Sequence, residues 1–147
     1  MQVFTSKSQN VGKMGEDIAA SFLLAQGHEI LERNYTLKCG ELDIISRETG
    51  KMHFIEVKSI ACDLVETPEP WKYGKYYRPE ENLHPKKMGK IKTTLQTYLM
   101  SLSKRQLGGD KGQSHEGNLP WQFDLYVVYV DDIHRKGIVK PIKNIIL

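Results

Sequence analysis

The sequence has little cysteine and no long apolar segment. Cys39 and Cys62 are its two cysteines, and they form no metal-ligand motif. No apolar run approaches the roughly 20 residues that span a bilayer, and residues 1–10 lack the apolar core of a signal peptide. We therefore expect a cytoplasmic protein with no membrane partner, in which both thiols stay reduced and pack against other side chains.

The composition is otherwise typical of a globular protein. The chain has 147 residues, of which 39% are hydrophobic and 27% charged, which is enough for one domain with a hydrophobic core. We expect a single domain over residues 1–147, with a flexible tail at residues 1–9. Residues 60–80, interrupted by Thr67-Pro68-Glu69-Pro70, and residues 104–119, almost free of apolar side chains, are expected to be loops.

Positive charge is concentrated in one segment. The net charge of the whole chain is +3 at pH 7 with histidine neutral, but residues 71–105 carry nine Lys or Arg side chains against Glu80 and Glu81. Such clustering is typical of proteins that bind an anionic partner, most often nucleic acid.

Hydrophobic spacing predicts two helices. Asn10 as N-cap and Gly27 just beyond the last turn bound the first helix, and Pro85 at the first helical position begins the second. The apolar stripe of the first helix comprises Val11, Met14, Ile18, Phe22 and Ala25, and that of the second comprises Met88, Ile91, Leu95, Leu99 and Leu102, flanked by Tyr98.

The other elements are predicted to be strands. A short strand covers residues 28–33, and the apolar run at residues 121–130 indicates a strand buried on both faces. Because this run follows a helix, we expect it to lie parallel to an earlier strand through a right-handed crossover. A turn at Asp131-Asp132 and a short edge strand near Ile138-Val139 complete an α/β fold of the order α-β-β-β-α-β with a short C-terminal element.

Residues 40–58 predict a β-hairpin. Glu41–Arg47 and Met52–Lys58 alternate between apolar and polar residues, and Glu48-Thr49-Gly50-Lys51 between them is a turn sequence. If the turn is centred between Thr49 and Gly50, with a loop of two or four residues, the numbers of directly opposed residues sum to 99. Side chains alternate along a strand, so one face is predicted to be apolar and to carry Leu42, Ile44, Ile55 and Val57.

This register places two acids opposite each other on the other face. Asp43 faces Glu56, and Glu41 faces Lys58. Because like charges in opposed positions destabilise a strand pair, the two acids favour a bound cation. Two carboxylates with room for water suit Mg²⁺, and Lys58 is within reach of a phosphate or of a water beside the metal. The alternative is a solvated strand face with a Glu41–Lys58 pair, which leaves the opposition of two acids unexplained.

Glu16 lies at the border of the apolar face of the first helix. At about 100° per residue it falls beside Gly12, Ala20 and Leu23, on a shoulder that another element would cover. It is then either a group near the metal site or a surface acid favoured by the helix dipole. Periodicity alone favours the surface position.

Several motifs, in this order, resemble a known family. The motifs are Gly15-Glu16 on the first helix, Arg33-Asn34-Tyr35, Gly40-Glu41-Leu42-Asp43-Ile44-Ile45 and Phe54-Ile55-Glu56-Val57-Lys58, with weaker matches at Pro85, Lys87, Phe123 and Asp124. They are similar to those of the YraN-like family of small bacterial proteins and, more loosely, of the archaeal Holliday-junction resolvases. Both belong to the PD-(D/E)xK nuclease superfamily, so the resemblance implies a restriction-endonuclease-like mixed sheet.

The resemblance also implies a role for each matching residue. Asp43 and Glu56 would bind Mg²⁺ or Mn²⁺, Lys58 would be the superfamily's lysine, and Glu16 would be the acid that junction-resolving relatives place near the metal. Leu42 stands where the superfamily has the proline of Pro-Asp, a replacement that looks usual for the YraN-like proteins and leaves the carboxylate in place.

Further residues are candidates for contacting nucleic acid. Residues 71–78, WKYGKYYR, interleave aromatic and basic side chains, which suits stacking on unpaired bases beside phosphates. A loop whose aromatics pack on its own domain explains the pattern equally well, and a solvated face is the ordinary explanation for the lysines of the second helix. The candidates are Arg33, Tyr35, Lys38, Trp71, Lys72, Lys75, Arg78, Lys86, Lys87 and Lys90, with Glu41 as support of the site.

The function that these features favour is a metal-dependent endonuclease that hydrolyses phosphodiester bonds. DNA is the expected substrate, in particular branched or junction DNA. The alternative is a nucleic-acid-binding protein of the same fold without turnover, and a third option is a protein-interaction domain that uses residues 71–78. A homodimer is plausible by analogy with relatives that act on both strands.

Overall fold

The computed structural model describes residues 7–73, 83–107 and 119–147. In chain order its elements are helix α1 (Lys7–Ala25), strands β1 (Glu29–Leu37), β2 (Gly40–Glu48) and β3 (Lys51–Ala61), a short 3₁₀ helix (Pro70–Tyr73), helix α2 (Pro85–Leu107), and strands β4 (Trp121–Asp131) and β5 (Lys136–Ile142). The predicted order is confirmed, and the terminal element is a strand. Within the described residues, neither helix has a segment long and apolar enough to cross a membrane.

The five strands form one mixed sheet in the order β1-β2-β3-β4-β5. Neighbouring strands are antiparallel, except that β3 and β4 run parallel, from Met52 beside Trp121 to Ala61 beside Val130. A parallel pair requires a long crossover, and α2 lies within it. The mixed sheet with α1 and α2 is consistent with a restriction-endonuclease-like fold, as predicted.

The β2–β3 hairpin has the predicted register. Its loop consists of Thr49 and Gly50, with φ angles of 49° and 72°. Positive φ at both central residues defines the turn type whose twist matches that of the flanking strands. The pairs run from Glu48 with Lys51 to Ile44 with Ile55, so the numbers of opposed residues sum to 99.

The first helix starts earlier than predicted. It begins at Lys7, so Asn10 lies inside the helix and is not its N-cap. No Pro or Gly occurs between Lys7 and Asn10, and the mild preference of Asn for caps does not outweigh continued helix in this segment. The predicted tail at residues 1–9 is therefore helical from Lys7 onward, and residues 1–6 lie outside the described part of the chain.

The end of α1 agrees with the prediction. Gly27 adopts a φ of 91°, and the N–H of His28 donates to the carbonyl of Leu23 at 3.0 Å. This backbone bond satisfies a carbonyl of the last turn, which is the usual role of a glycine just beyond a helix.

The buried face of α1 is displaced from the predicted stripe. Ala25 is exposed, whereas Ala19 and Leu23 are completely buried and Gly15 is buried. The shoulder that carries Glu16 is therefore close to the centre of the packed face. Counting large apolar residues shifted the prediction, because the closest contacts with the sheet are made by small residues.

The first strand is longer than predicted and is distorted. It extends beyond Arg33 to Leu37, and its second half pairs with β2, where Thr36 lies beside Glu41. Asn34 has a φ of 52°, and the pairing register shifts between Ile30 and Glu32. Each irregularity is of the kind that bends a strand locally.

The sheet carries a hydrophobic core on each face. The α1-side core contains Val11, Ala19, Ala20, Leu23, Ile44, Ile55, Tyr126, Val128 and Val130. The α2-side core contains Leu42, Ile45, Met52, Phe54, Ile91, Leu95, Tyr98, Leu99, Leu102 and Phe123. The predicted stripe of α2 is confirmed at four positions, with Met88 half-buried and Tyr98 fully part of the core.

The predicted loops are shorter than expected where the structure describes them. β3 continues to Ala61, and α2 continues to Leu107. Trp71, in the 3₁₀ helix, packs on β4 with its ring 5.8 Å from that of Tyr129, and Lys140 Nζ lies 3.8 Å from the centre of the Trp71 ring. Residues 74–82 and 108–118 lie outside the described residues.

Both cysteines are free thiols, as predicted. Cys39 and Cys62 are half-buried, and Cys39 Sγ lies 3.5 Å from Thr94 Oγ1. Burial raises the pKa of the Cys62 thiol, which disfavours the thiolate and its reactivity.

The close packing of α1 on β3 predicts opposite effects at two glycines of the same helix. A Cβ at Gly15 would collide with the side chain of Ser59, whereas a Cβ at Gly12 would meet nothing within 4 Å. We expect Gly15→Ala to lower the free energy of unfolding by about 1–3 kcal/mol, because α1 must move away from the sheet. Gly12→Ala, the control, should raise it by about 0.5–1 kcal/mol through helix propensity.

Urea unfolding followed by circular dichroism measures both variants. Equal stabilities of Gly15→Ala and Gly12→Ala would contradict the assigned contact between α1 and β3.

Candidate active site

Asp43 lies where the paired part of the β2–β3 hairpin ends. The last recorded pair is Ile44 with Ile55, and Asp43 Oδ2 then accepts a hydrogen bond of 2.7 Å from the N–H of Val57. The side chain of Asp43 thus takes the place of a backbone partner. Its carboxylate is held between the two strands by this bond.

The side chain of Asp43 is directed toward β3, and this interrupts the alternation of side chains along β2. Leu42 belongs to the α2-side core, whereas Ile44, two residues later, belongs to the α1-side core. The prediction that Leu42, Ile44, Ile55 and Val57 share one face is therefore wrong for Leu42. A strictly alternating strand would have placed Leu42 and Ile44 together.

Glu56 is the second acid of the hairpin and has a basic partner on α2. Its side chain is 12% exposed, and its Oε1 lies 3.5 Å from Lys87 Nζ. Lys87 is in the first turn of α2, where the helix crosses the face of the sheet that carries Phe54 and Glu56. The first turn of α2 therefore brings a basic side chain to one of the hairpin acids.

Burial and neighbouring negative charges raise the proton affinity of both carboxyl groups. Burial raises the pKa of Asp43 to about 7, and the negative charge of Glu56 adds to this, while the bond from Val57 opposes it. Burial likewise raises the pKa of Glu56, against the effect of the Lys87 ammonium. Two acids with raised pKa values in one place are a frequent property of functional sites.

Glu16 and Glu41 complete a group of four acids. Glu16 is half-buried, and burial raises its pKa, while the positive charge of Arg33 lowers it. The charges of Glu16 and Glu41 both raise the pKa values of Asp43 and Glu56. The structure thus brings Glu16, half-buried, into the electrostatic range of the hairpin acids.

Lys58 follows Glu56 by two residues on β3 and is half-buried. Because alternate residues share a face, it projects from the same side of the strand as Glu56. The motif consists of one acid followed later by an acid and a lysine two residues apart. Asp43 on β2 and Glu56 and Lys58 on β3 match this order.

The other candidate residues are distributed around this group. Arg33 donates to Asp17 on α1 at 2.8 Å, and Tyr35 packs edge-on against Tyr98 with ring centres 5.1 Å apart. Lys38, Lys86 and Lys90 are exposed, and Lys72 pairs with Glu69 at 2.6 Å. Trp71 packs within its own domain, in agreement with the packing alternative for this residue. Lys75 and Arg78 lie outside the described residues.

The donor set fits a hard divalent cation. Asp43 and Glu56 offer carboxylate oxygens, and neutralising their mutual repulsion is the benefit a cation would bring. Mg²⁺ commonly uses one or two protein carboxylates and keeps several waters. Among the described residues, two other groups of three side chains could hold a metal ion, with one ligand atom from each residue within 4.8 Å of the others. One group is His28, Glu48 and His53, and the other is Asp63, Asp131 and His134.

Sequence reasoning missed the cluster of His28, Glu48 and His53. Its three side chains come from the end of α1, the end of β2 and the start of β3, so no spacing along the chain connects them. Two features of the sequence point to this proximity. They are the hairpin register, which pairs Ser46 with His53, and the end of the helix at Gly27.

The fold is consistent with that of PD-(D/E)xK nuclease-like proteins. Comparison with known proteins gives the family. The model of the uncharacterised protein family UPF0102 matches residues 15–128, so the chain belongs to the UPF0102 (YraN) family, as its motifs predict.

Similar proteins have comparable lengths. A UPF0102 protein of Campylobacter lari is 38% identical over 122 residues, which is 83% of this chain and 86% of the relative. A UPF0102 protein of Clostridium botulinum strain Loch Maree is 31% identical over 138 residues, covering 93% of this chain and 94% of the relative. A shorter match, 41% over 87 residues, links the chain to a UPF0102 protein of Campylobacter jejuni strain RM1221 and covers 59% of this chain and 66% of the relative.

The raised pKa of Asp43 predicts a pH-dependent cost to stability. An acid whose pKa is about 7 in the folded state and 3.8 when unfolded binds more protons in the folded state between these values. The metal-free protein should therefore lose stability as the pH rises from about 4 to 7, with no further loss from this group above 7. Asp43→Asn removes the ionisation and keeps an acceptor for Val57.

We expect Asp43→Asn to raise the free energy of unfolding at pH 8 by about 1–3 kcal/mol, with a gain that shrinks toward pH 4. Urea unfolding at pH 4 to 8 in the presence of EDTA measures it. Glu66→Gln, at an exposed carboxylate, is the control. A gain for Asp43→Asn that is absent, or independent of pH, would contradict the burial of a charged carboxylate.

Proposed function

We propose that this protein is a metal-dependent endonuclease that hydrolyses phosphodiester bonds in DNA, with branched or junction DNA as the preferred substrate. The observation that carries the proposal is the position of Asp43 and Glu56, two half-buried acids at the end of the β2–β3 pairing with raised pKa values. Membership of the UPF0102 family and the nuclease-like fold support it.

Asp43 and Glu56 are the residues that would hold Mg²⁺ or Mn²⁺. Bound there, the ion would supply Lewis acidity, lowering the pKa of an adjacent water and offsetting the charge that develops on the phosphate. The N–H of Val57 fixes Asp43, so this carboxylate is oriented before any ligand arrives. Glu16, on α1, adds a negative charge that favours the binding of a cation at Asp43 and Glu56.

Lys58 would position the attacking water or stabilise the charge of the phosphate. Its side chain projects from the same side of β3 as Glu56, which supports a role for the ammonium as a proton donor or phosphate ligand near the acid pair. Lys87 has a separate task. In the resting protein its ammonium compensates Glu56 at 3.5 Å, and it would move to a phosphate oxygen when a cation takes over that compensation.

The exposed lysines of α2 provide the surface for the phosphate backbone. At about 100° per residue, Lys86 and Lys90 lie on the flank of α2 next to Lys87, and both are exposed. Lys92 lies on the opposite flank of the same helix and is also exposed. The helix would thus contact DNA through the side that adjoins the acids.

One observation favours a second candidate function, a nucleic-acid-binding protein without turnover. The Lys87 ammonium neutralises Glu56, one of the two acids. A protein that uses the lysines of α2 for phosphate binding alone would keep this pair in the complex. Cleavage assays separate the two functions.

We expect Lys58→Ala to lower the rate of DNA cleavage by at least about 100-fold while DNA and metal binding persist, because the lysine acts on the reacting water or phosphate. The assay incubates linear, flapped and four-way DNA with Mg²⁺, Mn²⁺ or EDTA. Lys51→Ala, at the other end of β3, is the matched control and should cleave at the wild-type rate.

Three results decide between the candidate functions. Products that require the metal and disappear with Glu56→Gln support the nuclease. Salt-sensitive binding with no products under any condition supports the binding protein. Cleavage by Lys58→Ala at the wild-type rate would show that the activity belongs to another site or to a contaminant.

The phosphate-binding surface predicts a change in salt dependence. Lys86→Ala and Lys90→Ala should each weaken DNA binding and reduce the slope of log K against log salt concentration by about 1, because each lysine replaces a counterion of the duplex. Lys92→Ala on the opposite flank should leave the slope unchanged. Fluorescence anisotropy with labelled DNA, in EDTA, measures the slopes, and equal slopes for all three variants would remove α2 from the interface.

A further inference from the structure

A second cluster of polar side chains lies away from the acids, at the turn end of the β2–β3 hairpin. His28 follows α1, Glu48 is the last residue of β2, and His53 is the third residue of β3. His53 and Glu56 are three residues apart on the same strand and therefore project from opposite faces of the sheet. The cluster is thus independent of the proposed nuclease site.

Both histidines direct a ring nitrogen at the same carboxylate oxygen. His28 Nε2 lies 3.2 Å and His53 Nε2 lies 3.7 Å from Glu48 Oε2. Ligands about 2.0–2.1 Å from a tetrahedral zinc ion are about 3.3–3.4 Å apart, which lies between these two distances. One ligand atom from each of the three residues is within 4.8 Å of the others, so small rotations of the rings would complete the triangle.

The second nitrogen of each ring is held by another residue. His28 Nδ1 is 2.9 Å from Ser46 Oγ, and His53 Nδ1 is 3.4 Å from Asp124 Oδ2. Histidines that bind metals almost always have such a partner, and a carboxylate in this place increases the basicity of the ligand nitrogen. Asp124 takes the place of this carboxylate beside His53, and the other ring nitrogen of His53 faces Glu48.

Asp124 is itself fixed. It is fully buried, and its Oδ1 accepts hydrogen bonds from Gln122 Nε2 at 2.8 Å and from the N–H of Asn144 at 3.0 Å. When the ring of His53 is neutral and its Nδ1 donates to this carboxylate, the ring proton is on Nδ1. In the neutral ring, Nε2 is then an acceptor that faces another acceptor, Glu48 Oε2. A positive charge between them would resolve this conflict.

We propose that His28, Glu48 and His53 bind one Zn²⁺ ion or a similar transition-metal ion through His28 Nε2, His53 Nε2 and Glu48 Oε2. Imidazole nitrogens favour zinc over the hard cations that suit a carboxylate pair. Both histidines are buried, and the Glu48 side chain is 39% exposed, so an ion would reach the cluster from the side of Glu48. The ion ties the end of α1 to the β2–β3 hairpin.

The test uses protein freed of its purification tag and of metal. Zinc is titrated against a chromophoric chelator, and Co²⁺ reports the geometry through its visible absorption. The same titrations in an Asp43→Asn, Glu56→Gln background exclude the acid pair. We expect one Zn²⁺ per chain in both proteins, a tetrahedral Co²⁺ spectrum, and a rise in Tm on adding Zn²⁺, since a ligand of the folded state stabilises it.

Variants assign the bound ion to the cluster. Glu48→Gln, at a partly exposed side chain, and His53→Gln should each weaken zinc binding by at least about 10-fold. Asp124→Asn should weaken it by about 10- to 100-fold through His53. His134→Gln is the matched control, because His134 belongs to the other described group, with Asp63 and Asp131, and it should bind zinc as the wild type does.

The outcomes are distinct. Zinc binding that is lost in Glu48→Gln and kept in His134→Gln supports the proposal, and it does so even if His53→Gln fails to fold. No zinc binding at micromolar concentration overturns it, because an unoccupied cluster would then be held by a proton shared between the imidazoles and Glu48. Unchanged binding in Glu48→Gln, or loss in His134→Gln alone, also overturns it.

Discussion

Asp43 and Glu56 repel each other in a poorly solvated part of the sheet, and the rest of the structure must hold them there. The α1-side and α2-side cores fix the two strands, the N–H of Val57 bonds to one acid, and Lys87 partly neutralises the other. A protein with no use for this arrangement would gain stability by exposing or replacing either acid. The cost is consistent with a site that is completed by a cation.

Local signals were sufficient to predict most of the fold. The hairpin register followed from the turn residues Thr49 and Gly50 and from alternation in the flanking strands. The buried run at residues 121–130 followed from its continuous apolar composition. The stripe of α1 was displaced because Gly15, which approaches Ser59 closely, and Ala19 are buried, and small residues contribute little to a hydrophobic pattern.

The candidate site was predictable in its identity and less so in its detail. Counting residues across the hairpin predicted Asp43 opposite Glu56, whereas the recorded pairing ends at Ile44 and Ile55. The family motif added Glu16, which periodicity alone placed at the surface. The interrupted alternation at Leu42 was not predictable, because it depends on a side-chain bond to the backbone of the next strand. A cluster built from three separate elements, such as that around Glu48, leaves no periodic trace.

The irregularities of the outer strands affect how copies of this protein meet in solution. In β1, the positive φ of Asn34 and the shifted register distort the row of backbone groups that a further strand would need. In β5, Pro141 supplies no N–H for such a row. Both borders of the sheet are therefore poor templates for strand addition from a neighbouring molecule. The open sheet is in this way disfavoured as a template for edge-to-edge pairing without being closed on itself.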